Sequence, residues 1–240
     1  MKQKRSASRS LPGPSFLSAL WKRWPGTCIL LLVLLAPGFP AQTVKLEPLG
    51  PLTDPSVSES VRAVLDERGY RIRLADGSVY CDIWFRREVP VQAKADIPGT
   101  LYTEWAESTL IGVISFAQAT NDFRGQAIKS GIYTLRYALH PADGNHMGIS
   151  PYRDFLLLVP VADDRDASAK IPFEQLVKMS ARAAGTNHPA SLSLTSAEGQ
   201  KEFPSVTVGE ADRVIVAVRL KTTSGADRLV ALIVKGIAEQ

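Results

Sequence analysis

Short runs in which hydrophobic and polar residues alternate recur along most of the chain after residue 57. Alternation with a period of two is typical of β-strands that bury one face, because successive side chains point to opposite sides. Connections rich in Gly, Pro, Asp and Asn separate these runs. The pattern predicts ten strands, at residues 61–66, 70–75, 79–86, 109–116, 132–139, 155–161, 191–194, 205–208, 214–221 and 229–234.

The first three predicted strands are separated by two short connections that contain glycine, residues 67–69 and 76–78. Short connections of this kind favour hairpins, so these strands are expected to form a meander. In the second strand, hydrophobic residues alternate with arginines, which indicates one buried and one solvated face. The residues expected to point inward are Tyr70, Ile72 and Leu74.

One segment has the 3.6-residue period of an amphipathic helix, at residues 173–184. Pro172 suits the first turn of a helix, and Gly185 suits its C-terminal stop. The helix is expected to lie on the sheet as a crossover. The fold class predicted is therefore mainly β: an antiparallel β-sandwich, or a partly open barrel, with one packed α-helix.

The first 41 residues differ from the rest of the chain. A basic leader precedes nine consecutive apolar residues, 28–36, and a stretch of small residues and prolines that ends at Ala41. This is the layout of a secretory signal peptide, and nine apolar residues fall short of the roughly 20 that span a bilayer. We expect a signal peptide at 1–41, an extended lead-in at 42–56 and a single domain at 57–240. The protein is then secreted or periplasmic, with no stable membrane span after signal removal.

The leader also carries most of the basic excess. The chain has 28 Lys+Arg and 24 Asp+Glu, and six of the basic residues but none of the acidic ones precede Gln42. The remaining residues have 28 − 6 = 22 basic and 24 acidic side chains, a net charge near −2. This balance, with no basic cluster, argues against nucleic acid as a partner.

Cys81 is the one cysteine beyond the leader, so the predicted domain contains no internal disulfide. Alternation places Cys81 on the hydrophobic side of its strand with Ile83 and Phe85. A buried and inert thiol is therefore expected.

A loop at residues 140–148 contains two of the three histidines. Imidazole and thioether groups bind copper well, so His140, His146 and Met147 are a candidate copper or zinc site, with the distant His188 as a further ligand. The alternative is a turn with exposed histidines, which the Pro, Asp, Gly and Asn residues of the loop favour. No other cofactor is indicated.

A second candidate lies on the strand that contains Cys81. Alternation places Trp84, Tyr80 and Arg86 on the opposite side, where an aromatic ring beside polar groups would bind a sugar or a partner protein. The alternative is that a neighbouring element covers this side. Coverage is favoured, because large aromatic residues in mid-strand are more often buried than displayed.

Catalytic signatures are missing from the sequence. It contains neither Gly-x-Ser-x-Gly, His-Glu-x-x-His nor Ser-x-x-Lys. Glu104 and Glu107 flank Trp105 and form a conceivable glycosidase pair, but such carboxylates usually come from separate strands. Arg153 and Asp154, adjacent on a strand, are expected to make structural ion pairs. We assign no catalytic residue.

Two local resemblances complement these patterns. Residues 128–135, with Gly131 and Tyr133, resemble the tyrosine corner of immunoglobulin-like sandwiches, which implies a hydrogen bond from the Tyr133 hydroxyl to upstream backbone. Residues 130–135, 150–155 and 185–189 are similar to segments of a family of secreted bacterial β-rich proteins without assigned function. That resemblance implies an exported β-rich domain and no catalytic residue.

The sequence thus predicts an exported, non-catalytic binding or envelope-interaction module, with an unknown envelope protein or glycan as its partner. One alternative is a periplasmic copper-type metal-binding protein that uses the loop from His140 to Met147. Another is a hydrolase whose site residues are scattered along the chain.

Overall fold

The computed structural model describes residues 43–141, 150 and 152–237. These residues form thirteen strands and two α-helices. The strands are β1 (Lys45–Leu49), β2 (Leu65–Arg73), β3 (Val79–Arg86), β4 (Glu88–Val89), β5 (Leu110–Phe116), β6 (Thr120–Asn121), β7 (Ala127–Ile128), β8 (Gly131–Leu139), β9 (Asp154–Pro160), β10 (Ser191–Thr195), β11 (Ser205–Val208), β12 (Val214–Thr222) and β13 (Asp227–Lys235). The helices are α1 (Glu59–Arg62) and α2 (Phe173–Ala184).

One large sheet contains most of the strands, in the order β1-β2-β3-β5-β8-β9-β10-β13-β12-β11. Every neighbouring pair along this path is antiparallel. The short strand β4 adds to β12 in parallel, and β6 pairs with β7 in a separate hairpin.

The sheet curls because β10 changes partners along its length. Residues Ser191 to Ser193 pair with β9, whereas Leu194 and Thr195 pair with β13. The two halves of the sheet therefore face each other across one core, and the edge strand β1 contacts the edge strand β11. The protein is mainly β, a partly open antiparallel barrel with one main packed helix, which confirms the predicted fold class.

The interior of the barrel is the main hydrophobic core. Ile72 is fully buried there, and Tyr70 and Leu74 pack against the same core, as the alternation predicts. Leu135 and Tyr137 of β8 are likewise fully buried. Each such side chain contributes roughly 1.5–3 kcal/mol by leaving water.

The helix α2 has the predicted bounds, and Gly185 ends it with a φ of 70°. Its apolar face packs on the outer surface of the sheet, where Leu176 joins Phe155, Leu157 and Val159. The helix connects β9 to β10, which are antiparallel neighbours. The predicted crossover is therefore wrong. The connection that contains α2 joins two adjacent antiparallel strands, and the helix packs on one face of the sheet beside them.

The predicted first strand, at residues 61–66, is wrong over most of its length, because only Leu65 and Asp66 belong to a strand. The helix α1 occupies Glu59 to Arg62, and the Ser58 side chain caps it by accepting a hydrogen bond from the Val61 N–H. The strand β2 begins at Leu65 and continues through residues 67–69, which the sequence predicts as a turn, but its pairing with β3 shifts register between Leu65 and Gly69. Gly69 lies within β2 and not in a turn, and glycine is needed there because a Cβ atom would collide with the Trp84 ring.

The predicted lead-in contains the edge strand β1, which pairs with β2 along its whole length. Leu49, the last residue of β1, and the following Leu52, Val57 and Val61 pack over the outer face of the sheet with Trp84. Within the described part of the chain, no helix has the length and hydrophobicity of a membrane span. The predicted signal peptide lies outside the described residues.

Candidate functional site

The barrel is incomplete where its two edge strands meet. No backbone hydrogen bond joins β1 to β11 within the described part of the chain, although the two strands are in contact. We call this gap the seam. Each strand pairs on one side only, so its other edge presents backbone N–H and C=O groups without a sheet partner.

The seam opens into a cleft of about 720 Å³, which we call the seam cleft. Its walls are mainly aliphatic and come from both ends of the sheet. Val208 is the most exposed of these side chains, at 52%. The aliphatic lining residues are Val44, Leu74, Val206, Val208 and Val214.

Three charged residues lie at the rim of the seam cleft: Asp76, Asp212 and Lys235. Asp76 belongs to the turn between β2 and β3, where it accepts hydrogen bonds from the Ser78 hydroxyl and backbone N–H. These bonds lower the pKa of Asp76, so its carboxylate is ionised at neutral pH. The rim thus combines both signs of charge.

The turn between β11 and β12 is strained. Ala211 and Asp212 have φ angles of 52° and 55°, in the left-handed region that residues other than glycine rarely adopt. The pairing of Val208 with Val214 closes this turn and holds the strained conformation in place. This pairing therefore fixes the position of Asp212 at the rim.

Tyr80 packs against the main core and contacts Val234, the neighbour of the cleft residue Lys235. Its hydroxyl donates to the Val234 carbonyl at 3.0 Å and lies 2.6 Å from the Thr120 hydroxyl, and its ring packs edge-on against Phe116. Burial raises the pKa of Tyr80 to about 12. Tyr80 therefore ties β3 to β13 through the interior of the barrel.

The structure does not bring Tyr80, Trp84 and Arg86 together. A register shift between β2 and β3 at Ile72 and Arg73 turns Tyr80 toward the core. Trp84 lies on the outer side, where it is 7% exposed and donates to the Gly50 carbonyl at 2.8 Å. Its ring is largely covered, as in the alternative that the sequence favours.

Of the predicted metal ligands, only His140 belongs to the described loop residues. It is buried and stacks on Phe155 with ring centroids 4.1 Å apart. His146 and Met147 lie outside the described residues. Within the described ranges, no group of three His, Cys, Asp or Glu side chains is placed to hold a metal ion. The metal site stays a prediction.

The other ionisable residues considered from the sequence, Cys81, Glu104 and Glu107, are buried or make contacts within the protein. Cys81 is fully buried, as expected, and burial raises the pKa of its thiol well above the ordinary value. Glu104 is buried and pairs with Arg228. Glu107 is exposed, and its carboxylate accepts a hydrogen bond from the Leu139 N–H.

Within the described part of the chain, Asp154 does not form the predicted ion pair. Its buried carboxylate accepts the backbone N–H groups of Leu101 and Tyr102 and the hydroxyl of Tyr137 at 2.7 Å. Arg153 donates instead to the carbonyl of His140. Neutral donors satisfy the Asp154 carboxylate, so it holds the segment around Tyr102 against the barrel.

The hydrogen bond implied by the tyrosine-corner resemblance is present. The Tyr133 hydroxyl donates to the Lys129 carbonyl at 2.8 Å, four residues upstream. It braces the connection between β7 and β8.

Sequence patterns do not reveal the seam, because it arises from two edge strands that are distant along the chain. No protein-family model, curated protein or solved structure matches this chain. The functional interpretation therefore rests on its own geometry.

Proposed function

We propose that the protein is an exported, non-catalytic binding module that captures an extended apolar segment of an envelope protein at the seam. In this mode of binding, the segment adds to a free strand edge and its alternate side chains enter an apolar cleft. The observation that carries the proposal is the pair of unpaired strand edges, β1 and β11, beside the seam cleft.

An extended peptide fits both features of the seam. Its backbone would pair with N–H and C=O groups that β1 or β11 leaves without a sheet partner. Its apolar side chains would cover Val206 and Val208, which are partly or largely exposed. A ligand without a backbone would satisfy only the second of these needs.

The composition of the seam cleft favours binding over catalysis. Aliphatic side chains such as Val44 and Leu74 bury apolar ligand surface but transfer no protons. The rim carries Asp76, Asp212 and Lys235, so charges of both signs are available to set the orientation of a peptide.

The proposal is tested by selecting extended nonapeptides from a random display library on the purified protein. One selected peptide is then labelled and titrated by fluorescence anisotropy against the parent and two variants. Val208→Asp places a charge in the seam cleft and should weaken binding at least about tenfold, which corresponds to about 1.4 kcal/mol. Leu229→Asp is the matched control, because Leu229 is an exposed hydrophobic residue that does not line the cleft.

An equal effect of the two substitutions would contradict the proposal, since it would place the peptide elsewhere on the barrel. Failure to select any peptide that discriminates the parent from Val208→Asp would also contradict it.

A further inference from the structure

A second cavity lies on the outer face of the sheet and shares no lining residue with the seam cleft. We call it the outer pocket. It has a volume of about 510 Å³, within the range of roughly 300–1,000 Å³ that is usual for small-molecule sites. Its walls come from the end of β3, the segment that precedes β5 and the connection that precedes α2.

Arg86 is the unusual residue of the outer pocket. Its side chain is partly buried, and within the described part of the chain it has neither a hydrogen bond nor an ion pair. Burial, and then the charge of Arg136, lower the pKa of Arg86. Its positive charge is therefore poorly compensated by the protein, and an anion would supply the missing partner.

Apart from Lys170, the other charged side chains around the outer pocket already have hydrogen-bond partners. Arg136 is fully buried and holds Asp164 through two hydrogen bonds of 2.7 Å, so this pair is neutral overall. The exposed Glu107 carboxylate accepts the Leu139 N–H, which satisfies one oxygen and leaves one negative charge on the pocket wall. Lys170 is exposed on the wall that belongs to the connection before α2, and it has no described partner. Arg86 and Lys170 are thus the two cations left over.

The wall that carries Lys170 is held in a fixed position. Ser108 has a φ of 71°, a strained conformation for a residue with a side chain. Its hydroxyl donates to the Ala169 carbonyl at 3.2 Å and accepts the Ile171 N–H at 2.9 Å. These bonds clamp the residues on both sides of Lys170, so the pocket is formed before any ligand enters.

We propose that the outer pocket binds a small organic anion. The carboxylate or phosphate group of the ligand lies against Arg86, because a forked guanidinium can bind either group through two hydrogen bonds. Lys170 adds a second positive charge. The apolar walls formed by Pro90 and Ile171 contact the body of the molecule. This site does not depend on the function proposed for the seam.

Isothermal titration calorimetry of the purified protein with three probes tests this proposal. Phenyl phosphate and benzoate carry the two candidate anionic groups on the same ring, and benzyl alcohol is their neutral counterpart. At least one of the two anions should bind saturably and more tightly than benzyl alcohol. The anion with the higher affinity identifies whether phosphate or carboxylate is the preferred group.

Arg86→Gln should weaken the binding of that anion at least tenfold, and Lys170→Gln at least twofold. Arg165→Gln is the matched control. It removes an equal charge from an exposed arginine in the connection before α2 that does not line the pocket, and it should leave binding unchanged.

The proposal is overturned if neither anion binds at millimolar concentration, if benzyl alcohol binds as tightly as the anions, or if Arg165→Gln weakens binding as much as Arg86→Gln. Should Arg86→Gln fail to fold, unchanged binding by Lys170→Gln would overturn it.

Discussion

At the scale of single residues, Tyr133 shows how one hydroxyl braces a connection. Its hydrogen bond to Lys129 is lost in Tyr133→Phe, and the Lys129 carbonyl then lacks this donor. Loss of one such bond costs about 1 kcal/mol. We therefore expect the free energy of unfolding, measured by urea denaturation, to fall by about that amount.

Tyr70→Phe is the matched control, because Tyr70 is partly buried against the core and its hydroxyl has no partner within the described residues. A control variant that loses as much stability as Tyr133→Phe would show that the Tyr133 hydrogen bond contributes nothing specific.

Asp122 predicts a measurable dependence of stability on pH. Its Oδ1 atom accepts the N–H groups of Arg124 and Gln126. Its buried Oδ2 atom has no hydrogen bond among the described residues and lies 3.9 Å from the Arg124 guanidinium. Burial raises the pKa of this carboxyl in the folded protein. The unfolded chain then releases the proton first, so this group lowers stability as pH rises from about 4 through the folded pKa.

Asp122→Asn should remove that contribution. The variant is expected to gain stability relative to the parent between pH 3 and pH 7, measured by thermal unfolding across this range. Asp54→Asn should show the opposite trend, because hydrogen bonds from Ser56 lower the pKa of Asp54. A constant difference between Asp122→Asn and the parent at all pH values would refute this assignment.

At the scale of elements, a buried ion pair fastens the connection between β9 and α2 to the barrel. Arg136 binds both oxygens of Asp164 and donates further hydrogen bonds to the carbonyls of Ser108 and Asp166. Arg136→Ala would leave the Asp164 charge buried and unpaired. We expect a loss of about 3–5 kcal/mol in the free energy of unfolding.

Arg71→Ala provides the comparison. Arg71 binds Asp82 with the same two-bond geometry, at 2.8 Å, but both side chains are partly exposed to solvent. Its loss should cost about 1 kcal/mol or less. Equal losses in the two variants, measured by urea denaturation, would mean that burial does not set the strength of these pairs.

The elements also show what sequence patterns can predict. The bounds of β3, β11 and α2 match the prediction, because glycine or proline residues mark the ends of each element. The run at 61–66 is short enough to suit either a helix or a strand. The sequence pattern does not predict β1, because Pro48 argues against a strand; proline is nevertheless acceptable in an edge strand.

The candidate site was less predictable than the fold. The side to which Tyr80 points depends on a register shift between β2 and β3, and alternation alone cannot indicate this. The seam requires knowledge of which strands end the sheet, and that is set by pairings between distant segments. Alternation places Arg86 on the polar side of its strand. It does not predict the outer pocket, because the other walls come from residues far along the chain.

At the scale of the whole molecule, the proposed export makes a prediction about the leader. The full chain, expressed in a bacterial host with an outer membrane, should be recovered from the periplasm with a start within a few residues of Gln42. Intact mass and cell fractionation measure both properties. Leu32→Arg breaks the apolar run at 28–36 and should leave uncleaved protein in the cytoplasm. Parent protein found in the cytoplasm with Met1 retained would contradict export.

The partly open barrel links the fold to the proposed binding function. A closed barrel has no free edge, whereas this sheet ends in β1 and β11 without hydrogen bonds between them. The edge groups are therefore expected to exchange their amide hydrogens faster than those of β5 and β9, which are paired on both sides and buried.

Hydrogen–deuterium exchange with and without a seam-binding peptide tests the central claim most directly. Strand addition predicts slower amide exchange in Lys45–Leu49 or Ser205–Val208 when the peptide is bound, with no change in Leu110–Phe116. Unchanged exchange at both edge strands, with protection elsewhere on the barrel, would contradict the account.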